Sequence, residues 1–310
     1  MMNFDFQEAT RYQSKASIVI EGLSGTGKTG LALQIARALA DYPDIYAMDT
    51  ECKSMNLFEG IKLTGGEPIG KFKKVDVPAN EAAPSTFLAF RDAACAQGAK
   101  VCIQDSTTHA WSYVLDAVTA ANNASGKTGK AVNGWGDPTV VPEKNILSSA
   151  LWRDERCHVI STVRMKEKIV IGEDKTVTKI GEQPIQQDQV KYEPDLIIHL
   201  TKAGTPDGEP AIGVIEKSRY AIFKVGESYS FTNDLVQQLA AYLDDGADPD
   251  ELLAKQKDNM VQVVTEMLNA QPTAAIKLKT FKKTQGIEDS AKLNDMTLEQ
   301  LNKLYNLLFN

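Results

Sequence analysis

Eight residues near the N-terminus have the types and spacing of a phosphate-binding loop. They fit the pattern G-x-x-x-x-G-K-[ST] without a mismatch and are Gly22, Leu23, Ser24, Gly25, Thr26, Gly27, Lys28 and Thr29. Glycines let the backbone wrap around a phosphate chain with its N–H groups pointing inward. The lysine of the pattern can reach the β- and γ-phosphates, and the Thr29 hydroxyl can ligate Mg²⁺. The pattern therefore predicts a site for a nucleoside triphosphate with Mg²⁺.

The sequence on either side of this loop must supply the elements that position it. Residues 16–20 are apolar and largely β-branched, which predicts a buried strand. Residues 30–40 begin with Gly30 and combine helical periodicity with good helix formers. A helix N-terminus at this point adds partial positive charge beside the phosphates. Strand, glycine-rich loop and helix in this order favour a binding site over an accidental glycine-rich turn.

Two acidic residues follow other predicted strands. Glu51 comes shortly after the apolar run at 45–48, and Asp105 ends the run that begins at 101–103. Ligands bind at the carboxyl ends of strands in open α/β sheets. We expect Asp105 to hold Mg²⁺ through water, a role that can coexist with capping of the next helix. Glu51 is expected to orient and deprotonate the attacking water, although an exposed loop glutamate is the alternative.

Strand-like and helical segments alternate over the first 245 residues. Further strands are predicted at 72–77, 158–163, 196–200, 211–215 and 229–231, and helices at 82–97, 111–121 and 144–153. This alternation predicts an α/β fold with a mostly parallel sheet and helices on both faces. An acidic stretch with glycine and proline follows, and then helices are predicted at 251–269, 273–284 and 298–308. We therefore expect an ATPase-type domain over residues 1–245 and a C-terminal helical module over residues 246–310.

Composition limits the class of protein. The net charge of −7 over 310 residues argues against a chain that coats nucleic acid with its whole surface, while it leaves room for a local basic groove. The sequence lacks a membrane span and a secretory signal, so a cytoplasmic protein is expected. The four cysteines, Cys52, Cys95, Cys102 and Cys157, lie far apart without a C-x-x-C pair. A zinc site is therefore not expected, and we expect the cysteines to be reduced, buried thiols.

The order of the motifs resembles the ATPase core of RecA-type recombinases. The phosphate loop is followed by Asp49-Thr50-Glu51, Asp105-Ser106, Ser161-Thr162-Val163-Arg164 and Glu216-Lys217-Ser218-Arg219. Within that group, the sequence is most similar to compact phage-encoded RecA-like ATP-binding proteins linked to recombination and single-strand annealing. The resemblance spans residues 17–231 and implies a RecA-like P-loop NTPase core.

The resemblance also implies roles for single residues. Glu51 falls at the position of the hydrolytic glutamate, and Asp105 at that of the Mg²⁺-associated aspartate. Thr162 falls where RecA itself has a glutamine that senses the γ-phosphate, and a threonine there has a shorter reach. Lys217 and Arg219 resemble paired cations that reach the γ-phosphate of a neighbouring subunit; without the resemblance they would be interpreted as a solvated strand end. ATP would then lie between the subunits of a homo-oligomeric ring or filament.

Two long segments are candidates for contact with DNA. The first, residues 122–138, is polar and glycine-rich and carries Lys127, Lys130 and Trp135. The resemblance implies that it lines a channel for single-stranded DNA, where cations contact phosphates and an aromatic ring stacks on an unpaired base. From the residues alone, Trp135 could instead be a buried anchor that holds this loop down.

The second segment, residues 164–189, carries Arg164, Lys166 and Lys168. The resemblance places it on the same DNA channel. From the residues alone, 169–180 could be a β-hairpin that packs on the core or on a neighbour, since two β-branched runs flank a polar turn.

Together these features predict a Mg²⁺-dependent ATPase of the RecA-like class that binds single-stranded DNA and promotes annealing or strand exchange. The sequence contains no N-K-x-D run of the kind that specifies guanine, which favours ATP. Two alternatives stay open. One is a ring-type helicase or loader on the same core, and the other is a nucleotide-gated adaptor that recruits a phage or host replication or recombination partner through the C-terminal module.

Overall fold

The computed structural model describes residues 13–51, 53–63, 68–126, 133–171, 177–206, 208–270 and 274–309. The chain divides into two compact units. The larger unit is Ser14–Asp244, and the smaller contains Asp245–Asn310 together with Gln13. Among the described helices, none combines the length and the apolarity that a membrane span requires.

A nine-stranded mixed sheet forms the centre of the larger unit. Its strands are β1 (Ser17–Gly22), β2 (Ile45–Asp49), β3 (Lys73–Asp76), β4 (Val101–Asp105), β5 (His158–Ile171), β6 (Val177–Pro184), β7 (Leu196–Lys202), β8 (Ala211–Ser218) and β9 (Ser228–Phe231). The order is β3-β2-β4-β5-β1-β7-β8-β9, and β6 pairs with β5. The strands from β3 to β7 are parallel, whereas β8, β9 and β6 are antiparallel to their neighbours.

Helices cover both faces of this sheet. The larger unit contains α1 (Lys28–Leu39), α2 (Pro84–Ala96), α3 (Thr108–Gly126), α4 (Val140–Asn145) and α5 (Asn233–Asp244). On β1, Ile18 and Ile20 lie in one apolar cluster with residues of α1 and α5, and Val19 lies in a second cluster with residues of α3 and α4. This division follows from the strand geometry, since successive side chains point to opposite faces. The α/β fold expected from the sequence, with a mostly parallel sheet and helices on both faces, is confirmed.

Two details differ from the sequence-based expectation. Helix α5 was not predicted, although Val236, Leu239 and Leu243 recur at helical spacing and are buried against the sheet. The helix predicted at 144–153 instead begins at Val140 and passes into a single π-helical turn, Ile146–Ala150. A proline at position 142 does not prevent this early start, because a first-turn proline lacks only an N–H that has no partner within the helix.

The smaller unit has its own apolar core. It contains α6 (Pro249–Ala270), α7 (Ala274–Thr284) and α8 (Leu298–Phe309). Val264, Phe281, Leu301 and Leu304 are buried together among these helices. The predicted helical segment at the C-terminus is therefore present, with an amphipathic face on each helix that supplies the core.

Candidate active site

The carboxyl ends of four parallel strands meet at one edge of the sheet. The register places Gly22 of β1 opposite Arg164 of β5, and Asp49 of β2 opposite Asp105 of β4. Strands β4 and β5 are themselves neighbours. This edge, which we call the carboxyl edge, therefore gathers the phosphate loop, Glu51, Asp105 and Thr162, as expected where open α/β sheets bind ligands.

The backbone of the phosphate loop requires glycine at defined positions. Gly25 and Gly27 have φ angles of 82° and 84°, in the left-handed region that side chains disfavour. A Cβ atom on Gly22 would lie 2.7 Å from the carbonyl oxygen of Leu200. Helix α1 begins directly after Gly27, so its first N–H groups face the loop.

The Lys28 side chain lies inside this loop. Its Nζ donates hydrogen bonds to the carbonyl oxygens of Gly22 at 3.0 Å and Leu23 at 2.8 Å. Burial lowers the pKa of Lys28, and the carboxylates of Glu51 and Asp105 oppose that shift. The ammonium group is thus the cation at the centre of the loop, where a phosphate chain would be bound.

Asp105 accepts hydrogen bonds from two hydroxyl groups. Thr29 Oγ1 donates to Asp105 Oδ2 at 2.6 Å, and Thr162 Oγ1 donates to Asp105 Oδ1. Burial raises the pKa of Asp105, and the two hydroxyl donors oppose that rise. A buried carboxylate beside a hydroxyl is the oxygen donor set that Mg²⁺ prefers, so these residues fit a Mg²⁺ site.

Glu51 is oriented by its neighbours on both sides. Its backbone N–H donates to Asp49 Oδ1 at 2.7 Å, and Asp49 Oδ2 accepts a second bond from the N–H of Met55. The Glu51 side chain accepts a hydrogen bond from Arg164 Nε at 2.7 Å. Arg164, expected from the resemblance on the DNA channel, is therefore engaged at the candidate active site.

Two residues that the sequence did not mark as functional, Thr50 and His109, connect the loop after β2 to the first turn of α3 at this edge. Thr50 Oγ1 lies 2.6 Å from His109 Nδ1 and accepts a hydrogen bond from the N–H of Ser106 at 2.8 Å. Burial lowers the pKa of His109, and the positive charge of Arg164 lowers it further. Both effects favour the neutral form of the imidazole, while the charge of Glu51 opposes them. No local pattern in the sequence connects Thr50 with His109.

A small cleft lies beside the phosphate loop. It has a volume of about 180 Å³, and the residues that line it include Gly27, Gly30, Phe58, Leu63 and Gly204. An apolar cleft next to a phosphate site can hold an aromatic ring. The sequence did not indicate Phe58, because the residue belongs to a loop without a recognisable pattern.

Comparison with known proteins assigns the larger unit to a family. A family model described as an AAA domain (AAA_24) matches residues 14–229. The chain belongs to this family. No curated protein matches the chain. Among solved structures, the crystal structure of the RadB recombinase is similar at a TM-score of 0.42, with 16% identity, over 72% of this chain and 90% of that chain.

The AAA domain contains the whole carboxyl edge, but the structure does not bring Lys217 and Arg219 to it. Arg219 N–H donates to the carbonyl of Asp195, and Asp195 N–H donates to that of Ser17, at the start of β1. Because β1 is six residues long, its start at Ser17, where the Arg219 backbone is attached through Asp195, lies about 17 Å from the phosphate loop. Lys217 Nζ donates to the Tyr192 carbonyl at 2.5 Å, and Arg219 Nη1 pairs with Asp195 Oδ1 at 2.8 Å.

Of the remaining candidates for DNA contact, the structure describes Trp135, Lys166 and Lys168. Trp135 is half-buried and stacks on Trp111, with ring centroids 5.9 Å apart. This contact agrees with the alternative in which Trp135 anchors its loop to the core. Lys166 and Lys168 are exposed on the hairpin of β5 and β6. Lys127 and Lys130 lie outside the described residues.

Proposed function

We propose that this protein is a Mg²⁺-dependent ATPase of the RecA-like class that binds single-stranded DNA and promotes annealing or strand exchange in phage-type recombination. One observation carries the ATPase assignment. The hydroxyl of Thr29, at the head of the phosphate loop, lies 2.6 Å from the buried carboxylate of Asp105, which comes from a different strand. Membership of the AAA domain family supports the same assignment.

Different residues of the carboxyl edge bind different parts of ATP and its Mg²⁺ ion. Backbone N–H groups of the loop and of the first turn of α1 bind the phosphates. Lys28 exchanges its bonds to the Gly22 and Leu23 carbonyls for the β- and γ-phosphates. Thr29 and Asp105 hold Mg²⁺, which neutralises charge on the phosphates when bound. The cleft at Phe58 receives the adenine ring.

Glu51 and Thr162 complete the hydrolytic group. Glu51 orients the attacking water and accepts its proton, which requires the carboxylate to be released from Arg164. Thr162 holds the Asp105 carboxylate in place by donating to Oδ1. It acts as a positioning residue, since its hydroxyl is fully buried against Asp105.

DNA binding and oligomerisation are proposed from the parts of the domain outside this edge. Lys166 and Lys168 extend from the core on an exposed hairpin and are suited to phosphate contact, together with Lys127 and Lys130 of the first segment. Lys217 and Arg219 lie far from their own phosphate loop, so they would serve the site of a second subunit. Trp135 would position its segment through the stack on Trp111.

One experiment tests these proposals together. ATP turnover is measured with and without single-stranded DNA over a range of protein concentrations. We expect stimulation by DNA and a steep rise of the specific rate with concentration, because the trans cations act only in an oligomer. Strand displacement driven by ATP would assign the protein to the helicase or loader class. Negligible turnover under every condition would favour an adaptor and would refute the ATPase proposal.

A further inference from the structure

Three cysteines that are distant in the sequence meet in the larger unit, away from the carboxyl edge. Cys95 comes from α2, Cys102 from β4, and Cys157 directly precedes β5. Their three Sγ atoms all lie within 4.8 Å of one another, and those of Cys102 and Cys157 are 3.6 Å apart. We propose that these three residues, the cysteine cluster, form a binding site for a thiophilic divalent cation of the Zn²⁺ type.

The distances fit three sulfurs on one cation. A Zn–S bond is about 2.3 Å long, so two thiolates on a tetrahedral zinc lie about 3.8 Å apart. The sulfurs of Cys102 and Cys157 are 3.6 Å apart, and the two separations from the sulfur of Cys95 are at most 4.8 Å. The separations therefore differ from the tetrahedral value by about 1 Å at most. Buried cysteines that merely fill space need not converge on a common point.

The surroundings favour a soft cation over a hard one. Cys102 and Cys157 are fully buried, and Tyr46, Ala99 and Val159 lie in the same apolar cluster. Among the described residues, the group of convergent ligand atoms consists of the three sulfurs, while the nearby carboxylate of Asp154 is paired with Arg91 and Arg156. Thiolates select Zn²⁺ and similar ions over Mg²⁺. Cys95 is half-buried, so the cation would enter on that side, where water can fill the fourth position.

The cluster lies where a cation would join three elements. Cys102 is paired with Tyr46 of β2 and Val159 of β5, at the level where these strands begin, while the ATP site lies at their other ends. A bound cation would connect α2, β4 and β5 through metal–thiolate coordinate bonds. Binding to the folded state alone raises the stability of the domain by mass action. The cysteine cluster is thus proposed as a structural site, independent of nucleotide hydrolysis.

The test uses the full-length chain, reduced and stripped of metal, and titrates it with Co²⁺. Thiolate ligation produces a sulfur-to-metal charge-transfer band in the near ultraviolet, whereas Co²⁺ on the oxygen ligands Thr29 and Asp105 produces none. We expect the band to saturate at one Co²⁺ per chain and to disappear when Zn²⁺ is added. A folded wild-type chain that shows no band at this ratio would overturn the proposal.

Two single substitutions make the test specific. Cys95→Ser removes one sulfur at a half-exposed position on a helix, where the fold tolerates a hydroxyl, and circular dichroism confirms folding. We expect this variant to lose the charge-transfer band and the Zn²⁺-dependent rise in the thermal midpoint. Cys52→Ser, which removes the fourth cysteine of the sequence and keeps the three cysteines of the cluster, should retain both. An unchanged band in folded Cys95→Ser would exclude the three-thiolate site.

Discussion

Arg164 Nε donates a hydrogen bond to Oε1 of Glu51 at 2.7 Å, across 113 residues of sequence. The contact joins the middle of β5, where the strand passes from its pairing with β1 to the hairpin with β6, to the loop after β2. It occupies one oxygen of the carboxylate proposed to activate water. An ion pair therefore connects the hairpin strand to the glutamate that we propose as the activator of water, and DNA contact at the hairpin would reach the proposed ATP site through it.

Removing the guanidinium should release Glu51. The pair is 41% and 25% exposed, so it contributes about 1 kcal/mol at most. We expect Arg164→Gln to raise ATP turnover without DNA by up to about fivefold, measured as phosphate release. Arg37→Gln, which removes a surface pair with Asp41 on α1, is the matched control. A lower rate for Arg164→Gln would mean that Arg164 positions Glu51 rather than restrains it.

Lys28 is the residue on which hydrolysis should depend most strongly. Its ammonium is the cation within the loop, so Lys28→Ala should lower ATP turnover by about 100-fold or more. The measurement is the steady-state rate at saturating ATP, with folding checked by circular dichroism. Lys100→Ala, which removes an exposed partner of Asp44, should leave the rate unchanged. Normal turnover in Lys28→Ala would refute the proposed site.

Thr162 should affect hydrolysis through Asp105. The substitution Thr162→Val keeps the shape and removes the donor to Asp105 Oδ1, a hydrogen bond to a charged group. We expect turnover to fall by about tenfold and the Mg²⁺ concentration for half-maximal rate to rise. Ser161→Ala is the control, because its hydroxyl contacts Gln104 instead. Equal losses in both variants would indicate a general packing effect.

The two exposed hairpin lysines provide a test of DNA contact. Replacing Lys166 and Lys168 by Gln should weaken binding to single-stranded DNA and reduce the slope of log affinity against log salt by about 1.4, since each phosphate contact contributes about 0.7. Fluorescence anisotropy at several salt concentrations measures both quantities. Replacing Lys279 and Lys283 on α7 by Gln is the control, because it makes the same change of charge on a different surface. An unchanged slope in the hairpin variant would remove this surface from the DNA path.

Glu21 should make the stability of the domain depend on pH. Burial, and secondarily the charge of Glu216, raises its pKa to about 7 from 4.5. The side chain lines a cavity of about 500 Å³, and no hydrogen bond or ion pair joins it to the residues described. The folded state then binds more protons than the unfolded state between these values. Stability should fall as the pH rises from about 4.5 through 7, by about 3 kcal/mol in total.

Glu21→Gln should remove this dependence. Urea unfolding at pH 5 and pH 8 gives the free energy of unfolding at both ends of the window. We expect the variant to gain about 3 kcal/mol relative to wild type between the two pH values. Glu155→Gln, at an exposed position, is the control. Parallel pH profiles for wild type and Glu21→Gln would show that the buried carboxyl titrates normally.

Local patterns in the sequence were sufficient to predict a nucleotide site and to identify the fold class. The phosphate loop is a contiguous run, and the strand and helix that flank it are encoded by the periodicity of the same stretch. Glu51 and Asp105 could be placed at the carboxyl edge because each follows an apolar run. Alternation of strands and helices then indicated a mostly parallel sheet, although it did not indicate α5 or the antiparallel β8 and β9.

Contacts between distant side chains were decided only by the tertiary structure. The pairing of Arg164 with Glu51, the donation from Thr162 to Asp105 and the contact of Thr50 with His109 all depend on the order in which the strands lie in the sheet. The same holds for the cysteine cluster, in which Cys95 and Cys157 are 62 positions apart in the sequence. The local sequence around a residue does not indicate which residue lies opposite it on the next strand, because strand order and register determine which side chains meet. The sequence by itself therefore predicted a site for a nucleoside triphosphate, and the fold decided which side chains meet at that site.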